Sequence, residues 1–150
     1  MPTGAGEFER GWLRDDRHAT LVEFVRPGES VESWSELFTI QFFEDVYVSP
    51  ERAMYLLMAG IREQCPDATW TVINEERNSV MYEWTASACD LYPAQHEIVR
   101  LLRGNDGVHR IAFVKKTDLM PEELRNKWID VFLKAYVEKN GRRVIVQPRL

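Results

Sequence analysis

Apolar and polar residues alternate with a period of two in four short segments, which is the pattern of half-buried β-strands. These segments are residues 20–25, 37–43, 69–73 and 80–86, and they are rich in β-branched and aromatic side chains. Turn-forming residues, such as Arg26-Pro27-Gly28-Glu29, separate the first two. We therefore predict four strands in this part of the chain.

Residues 95–116 show the clearest hairpin pattern. Two alternating runs flank Gly104-Asn105-Asp106-Gly107, whose glycines supply the backbone freedom that a tight turn needs. A two-residue loop at Asn105-Asp106 fixes which residues face each other across the hairpin: Ile98 and Phe113, Arg100 and Ile111, and Leu101 and Arg110.

Two segments have the periodicity of amphipathic helices. Ser49 and Pro50 form an N-cap followed by proline at the first helical position, and Pro66 stops this helix just after Cys65. The second helix starts at Pro121, and we expect Asn140-Gly141 to cap its C-terminal end. Its apolar stripe comprises Leu124, Trp128, Val131, Phe132 and Ala135.

These elements predict one α+β domain with the order β-β-α-β-β-β-β-α. Short connections between consecutive strands favour a mainly antiparallel β-sheet, which the two amphipathic helices must cover. We expect residues 1–18 to form a partly ordered N-terminal arm and residues 19–150 to form the single domain. Residues 144–146 are predicted to add a short edge strand.

Composition excludes several functions. The net charge of −5 argues against a nucleic-acid partner, which usually requires a clustered basic surface. The chain has no P-loop, no G-x-G-x-x-G and no G-x-S-x-G sequence, so we predict no cofactor. No apolar run approaches the ~20 residues of a transmembrane helix. The first residues do not resemble a signal peptide, which predicts a cytoplasmic protein, or a periplasmic or secreted one if an export signal has been removed.

The two cysteines, Cys65 and Cys89, each fall at the end of a predicted element. Neither belongs to a C-x-x-C motif, which argues against a zinc or thioredoxin-type site. A disulfide between them would contribute ~3 kcal/mol in the chain-entropy model. The residues alone leave this bridge and two separate reduced thiols equally open.

Several phrases resemble a family of small, uncharacterised bacterial proteins that are often secreted or lipid-anchored. The phrases are residues 24–41, Tyr82-Glu83-Trp84, Gln95-His96-Glu97-Ile98 and the following run to Ile111, and the resemblance extends over about residues 20–138. It implies a cysteine pair and a location outside the cytoplasm. The element order also resembles the PsbP/Mog1-like α/β/α sandwich, which implies a non-enzymatic binding, chaperone or accessory role.

The central strands carry the candidate site. Alternation places Glu83 on the face opposite Tyr82 and Trp84, and it separates His96 from Glu97. The His96-Glu97 pair is no zinc motif, because Arg100 stands where a second histidine would be. The candidate polar patch comprises Glu83, Gln95, His96, Glu97, Arg100 and Arg110. Structural ion pairs, a ligand- or peptide-binding patch and a catalytic acid/base pair are the three interpretations.

The predicted function is a non-catalytic binding or accessory domain that acts on a protein, a small ligand or a cell-envelope component. The alternative is a small hydrolase or lyase that uses His96, Glu97 or Glu83 as general acid and base. Homodimerisation through a sheet edge, such as residues 144–146, is a further possibility.

Overall fold

The computed structural model describes residues 7–15, 19–139 and 142–144. The first four elements are β1 (Glu9–Asp15), β2 (Ala19–Val25), β3 (Glu36–Glu44) and α1 (Pro50–Gln64). Two hairpins follow, formed by β4 (Thr69–Glu76), β5 (Ser79–Ala86), β6 (Gln95–Arg103) and β7 (Gly107–Lys115). The last elements are α2 (Glu122–Leu133), β8 (Val137–Lys139) and β9 (Arg142–Val144).

The first seven strands form one antiparallel sheet in the order β1-β2-β3-β7-β6-β5-β4. The sheet is therefore built from two halves, β1–β3 and β4–β7, that meet where β3 pairs with β7. A single antiparallel sheet with two helices confirms the predicted α+β class.

The β6–β7 hairpin has the predicted register. Ile98 faces Phe113, Arg100 faces Ile111, and Leu101 faces Arg110. Gly107 closes the turn with a φ of +151°, and a Cβ there would lie 2.0 Å from the carbonyl oxygen of Phe43. Only glycine fits this close approach to β3, because every other residue carries that atom.

Each face of the sheet has its own helix and its own core. On the α1 face, Met54 and Met58 pack against residues of β5, β6 and β7: Val80, Tyr82, Trp84, Val99, Leu101 and Ala112. On the α2 face, Trp128 and Phe132 pack against Phe38, Met81, Ile98 and Phe113. The sheet is thus the middle layer of three.

Strand β1 lies in the segment for which the sequence predicts a partly ordered arm. It pairs with β2, and the register shifts between Arg10 and Trp12. The extra residue, Gly11, breaks the two-residue period that identifies the other strands. The element order consequently begins with three strands before α1, so the sheet starts before the predicted boundary at residue 19.

The end of the chain also differs from the prediction. Helix α2 ends at Leu133, and Val137 and Val144 pair in the small β8–β9 sheet. Residue 144 is therefore part of a separate two-stranded sheet and does not extend the edge of the main sheet. Asn140-Gly141, predicted as a helix cap, and residues 145–146 lie outside the described residues.

A disulfide joins Cys65, at the C-terminal end of α1, to Cys89, in the loop between β5 and β6. The two Cα atoms are 5.5 Å apart. Backbone hydrogen bonds between Cys89 and Tyr92 hold the loop in a tight turn. The bridge thus fastens α1 to the strands that it covers.

Loss of the disulfide will destabilise the fold, because the bridge restricts the conformational freedom of the unfolded chain. A bridge across 24 residues contributes about 3.5 kcal/mol in the chain-entropy model. Urea unfolding of a Cys65→Ser, Cys89→Ser double variant should therefore show a lower free energy of unfolding by about this amount. A reducing agent should have the same effect on the unmodified protein and none on the double variant. Equal stabilities with and without the bridge would contradict the prediction.

Candidate functional site

On the α2 face, Glu83 of β5 is the centre of an ion-paired group. The Nε of Arg125, in α2, donates to both carboxylate oxygens at 3.0 Å, and a terminal nitrogen of the same guanidinium also donates to Glu83. His96 Nε2 lies 2.9 Å from Glu83 Oε1. The group therefore links β5, β6 and α2.

Both ring nitrogens of His96 have hydrogen-bond partners. The backbone N–H of Met120 donates to His96 Nδ1 at 2.9 Å, so Nδ1 is unprotonated and Nε2 carries the proton that is donated to Glu83. The side chain is buried, with 2% of the residue exposed. His96 thus positions the segment that leads into α2.

The balance of forces on Glu83 favours its charged form. Burial alone would raise the pKa of this carboxyl, but the hydrogen bonds from Arg125 and His96, together with the charge of Arg125, outweigh burial and lower the pKa below 4.5. A lowered folded-state pKa stabilises the fold above that ordinary value. This contribution is lost as the pH falls through the lowered pKa.

Arg100 binds the end of α2. It donates hydrogen bonds to the carbonyl oxygen of Phe132 and, at 3.0 Å, to that of Ala135. The Phe132 carbonyl also accepts from the backbone N–H of Ala135, just beyond the helix, and a positive charge complements the negative end of the helix dipole. Burial lowers the pKa of Arg100, while Glu76 opposes this shift. Arg100 therefore has a structural role.

Glu97 and Arg110 lie on the opposite, α1 face. Glu97 is 7% exposed, and its Oε1 accepts from the indole nitrogen of Trp84 at 2.9 Å and from Arg110 at 3.1 Å. The other terminal nitrogen of Arg110 donates to Gln41 Oε1 at 3.3 Å. Both ends of this guanidinium are thus bound within the protein.

The predicted patch is divided by the sheet. Glu83, His96 and Arg100 lie on the α2 face, whereas Glu97 and Arg110 lie on the α1 face. Gln95, at the start of β6, donates to the carbonyl of Pro93 at 3.5 Å. Most of these residues are held in ion pairs and hydrogen bonds within the protein. This arrangement favours structural ion pairs over the two other interpretations, a binding patch and a catalytic pair.

Sequence reasoning missed Glu23, in β2. This carboxyl is half-buried, and it has no hydrogen-bond or ion-pair partner among the described residues. Burial raises its pKa, the charge of Arg110 lowers it and that of Glu97 raises it, with a net shift upward. The available signal was its position between Leu21 and Val25 on one face of a predicted strand, where a charge is unusual.

Glu23 belongs to a surface that also contains an exposed tryptophan. The sheet register places Trp12, Glu23 and Thr39 side by side on β1, β2 and β3. Gln41 and Arg110 are paired in the neighbouring row. Trp12 is 47% exposed. We call these five residues the Trp12–Glu23 surface.

A polar concavity of about 320 Å³ lies where β4 begins and β5 ends. Its lining includes Asp67, Thr69, Thr85, Ser87 and Asp118. The described residues contain no group of three or more His, Cys, Asp or Glu side chains that could hold a metal ion. This concavity therefore offers hydroxyls and carboxylates without a metal centre within the described chain.

Comparison with family models, with curated proteins and with solved structures gave no match in any of the three searches. Within the described residues, neither helix has the length and apolar character required to cross a membrane.

Replacement of His96 by alanine should destabilise the fold. The change removes a partner from Glu83 and leaves the buried N–H of Met120 without an acceptor. We expect a loss of about 1–3 kcal/mol in the free energy of unfolding, measured by urea denaturation. Lys127→Ala is the control, because its ion pair with Glu123 is exposed and such pairs contribute little. A His96→Ala variant as stable as this control would contradict the assignment.

Glu23→Gln should have the opposite effect and stabilise the fold at neutral pH. The raised pKa of Glu23 means that stability falls as the pH rises from 4.5 through the folded-state pKa. The variant should therefore have a Tm higher by about 1–3 °C at pH 7. The gain should vanish at acid pH, where Glu23 is protonated in both states. A lower Tm at pH 7 would show that the carboxylate has a stabilising partner.

Proposed function

We propose that this protein is a non-catalytic binding domain that holds a partner protein on the Trp12–Glu23 surface. The observation that carries the proposal is the half-buried carboxyl of Glu23, which has no partner among the described residues and lies across the strand pair from an exposed tryptophan. An unsatisfied carboxylate costs stability. Such a cost is typical of a group kept for function.

The position of the surface supports this role. Helix α1 packs mainly on β5 and β6, so it does not cover the β1–β3 half of the sheet. The loop between β2 and β3 covers part of this half, since Val31 and Trp34 pack against Val25 and Leu37. The Trp12–Glu23 surface adjoins this packed loop. Tryptophan and arginine, which it contains, are enriched at protein interfaces.

The disulfide supports a site of action outside the cytoplasm. Disulfides persist in oxidising compartments, such as the periplasm or the exterior, and are rare in the cytosol. We accordingly propose a partner in the cell envelope, in keeping with the resemblance to small bacterial proteins that are often secreted or lipid-anchored. One helix on each face of an antiparallel sheet supports the proposed PsbP/Mog1-like arrangement, an analogy at the level of fold.

The alternative function, a small hydrolase or lyase with a His/Glu pair, has less support. A general base needs a nitrogen or oxygen within reach of the substrate. Both ring nitrogens of His96 already have partners, and Glu97 is held by Trp84 and Arg110. Homodimerisation through residues 144–146 also lacks support, because Val144 pairs with Val137.

Site-specific photo-crosslinking tests the proposed surface. The photoreactive residue p-benzoylphenylalanine replaces Trp12 in one variant and Leu56, an exposed residue of α1, in the control. Both variants are irradiated in cells that naturally contain the protein. We expect a discrete crosslinked protein from position 12 and none from position 56.

Competition with the unmodified protein gives the second measurement. An excess of the unmodified protein should suppress the crosslink at position 12, and an excess of the Glu23→Gln protein should suppress it less. Equal suppression by both, or equal crosslinking from the two positions, would contradict the proposed surface.

A further inference from the structure

Glu23 needs a donor that the described part of the protein does not provide. The cation whose charge acts on it is Arg110, but one terminal nitrogen of Arg110 is bound to Glu97 and the other to Gln41. Arg110 therefore acts on Glu23 through its charge and not through a hydrogen bond. A ligand that satisfies Glu23 has to bring its own N–H groups.

The charges around Glu23 favour a cation. Glu23 and Glu97 together outweigh Arg110 by one negative charge, and these are the charges that influence the Glu23 carboxyl. A second cation, Arg14, lies further along β1 and already takes part in an interaction within the protein. The chain as a whole carries a net charge of −5. An approaching cation is thus attracted both locally and at long range.

Trp12 narrows the choice among cations. A cation gains energy over the face of an aromatic ring, and tryptophan is the best such ring. A guanidinium is planar, so it can stack on an indole and also donate two parallel hydrogen bonds to a carboxylate. An ammonium group makes neither of these planar contacts.

The protein uses the same combination within its own fold. The guanidinium of Arg26 lies 4.0 Å from the centroid of the Phe8 ring, and its NH2 donates to Glu36 at 3.2 Å. An aromatic ring and a carboxylate thus help to hold this arginine, together with the backbone carbonyl of Glu7 at 2.8 Å. The Trp12–Glu23 surface presents the same two groups without a described arginine between them.

We propose that the Trp12–Glu23 surface recognises the guanidinium of an arginine side chain on the partner protein, stacked on Trp12 and paired with Glu23. The inference rests on the proposed binding function and gives it a ligand class. It makes Glu23 and Trp12 the specificity-determining residues of the surface.

Three short peptides test the inference on the full chain with its disulfide intact. Their sequence is acetyl-Gly-Gly-X-Gly-Gly-amide, with arginine, lysine or citrulline as X. Citrulline keeps the shape of arginine and removes the charge. Binding is followed by the Trp12 indole N–H signal and the backbone amide signals of β1 and β2 in proton–nitrogen NMR spectra.

The arginine peptide should shift these signals with a saturable dependence on concentration, the lysine peptide should bind more weakly, and the citrulline peptide should not bind. Glu23→Gln should weaken arginine binding at least about tenfold, because it removes the charge-assisted pair with the guanidinium. Trp12→Leu should abolish it. Glu32→Gln, an exposed change in the β2–β3 loop, is the matched control and should have no effect.

The outcomes separate this inference from the proposed function. Equal binding of citrulline and arginine, or of lysine and arginine, would overturn the recognition of a guanidinium. If no peptide binds but position 12 still crosslinks to a partner, the ligand class is wrong and the binding function stands. If both measurements fail, the surface is not a binding site.

Discussion

Strand β6 is buried on both faces along nearly its whole length, and this constraint organises the polar groups of the protein. A strand sends alternate side chains to opposite faces, so the polar residues of β6 cannot converge on one side. A buried charge is costly unless it is paired. Each buried polar residue of β6 accordingly has its own partners: Glu83 and the Met120 N–H for His96, Trp84 and Arg110 for Glu97, and the end of α2 for Arg100.

The same pairings hold the layers together. Glu83, through Arg125, fixes the first turns of α2 against β5, and Arg100 fixes its last turn against β6. The apolar contacts of Trp128 and Phe132 lie between these two polar attachments along the helix. Helix α2 is therefore anchored at both ends, so the polar residues of the centre of the sheet serve the packing rather than a reaction.

Local signals were sufficient for part of the fold. The β6–β7 register follows from alternation and a four-residue turn, and both can be recognised within 22 residues of sequence. Other features depend on contacts between distant segments. Helix α2 ends at Leu133, where Arg100, 32 residues away from Phe132, donates to the Phe132 carbonyl, while the apolar stripe continues in the sequence to Ala135. The sequence does not decide between a disulfide and two thiols, because bridge formation depends on where the end of α1 meets a loop 24 residues later.

The candidate site is less predictable than the fold, because the neighbours of Glu23 come from β1, β3, β6 and β7. Only the strand order brings these neighbours together.

Sheet width explains why no helix covers the Trp12–Glu23 surface, in which Thr39 is buried and Trp12 is exposed. Seven strands spaced about 4.8 Å apart span about 29 Å, whereas a helix with its side chains is about 10–12 Å wide. One helix on each face therefore covers roughly two to three strands, and α1 lies on β5 and β6. Glu97 and Glu23 are both glutamates on the α1 face, and they have different environments because of this geometry. Glu97 lies on a strand that α1 covers, and its carboxylate accepts from two donors. Glu23 lies on the half of the sheet that α1 does not cover, and its carboxylate has no donor among the described residues. Partial access to water makes an unpaired carboxylate tolerable at Glu23, and the same access makes it available to a partner.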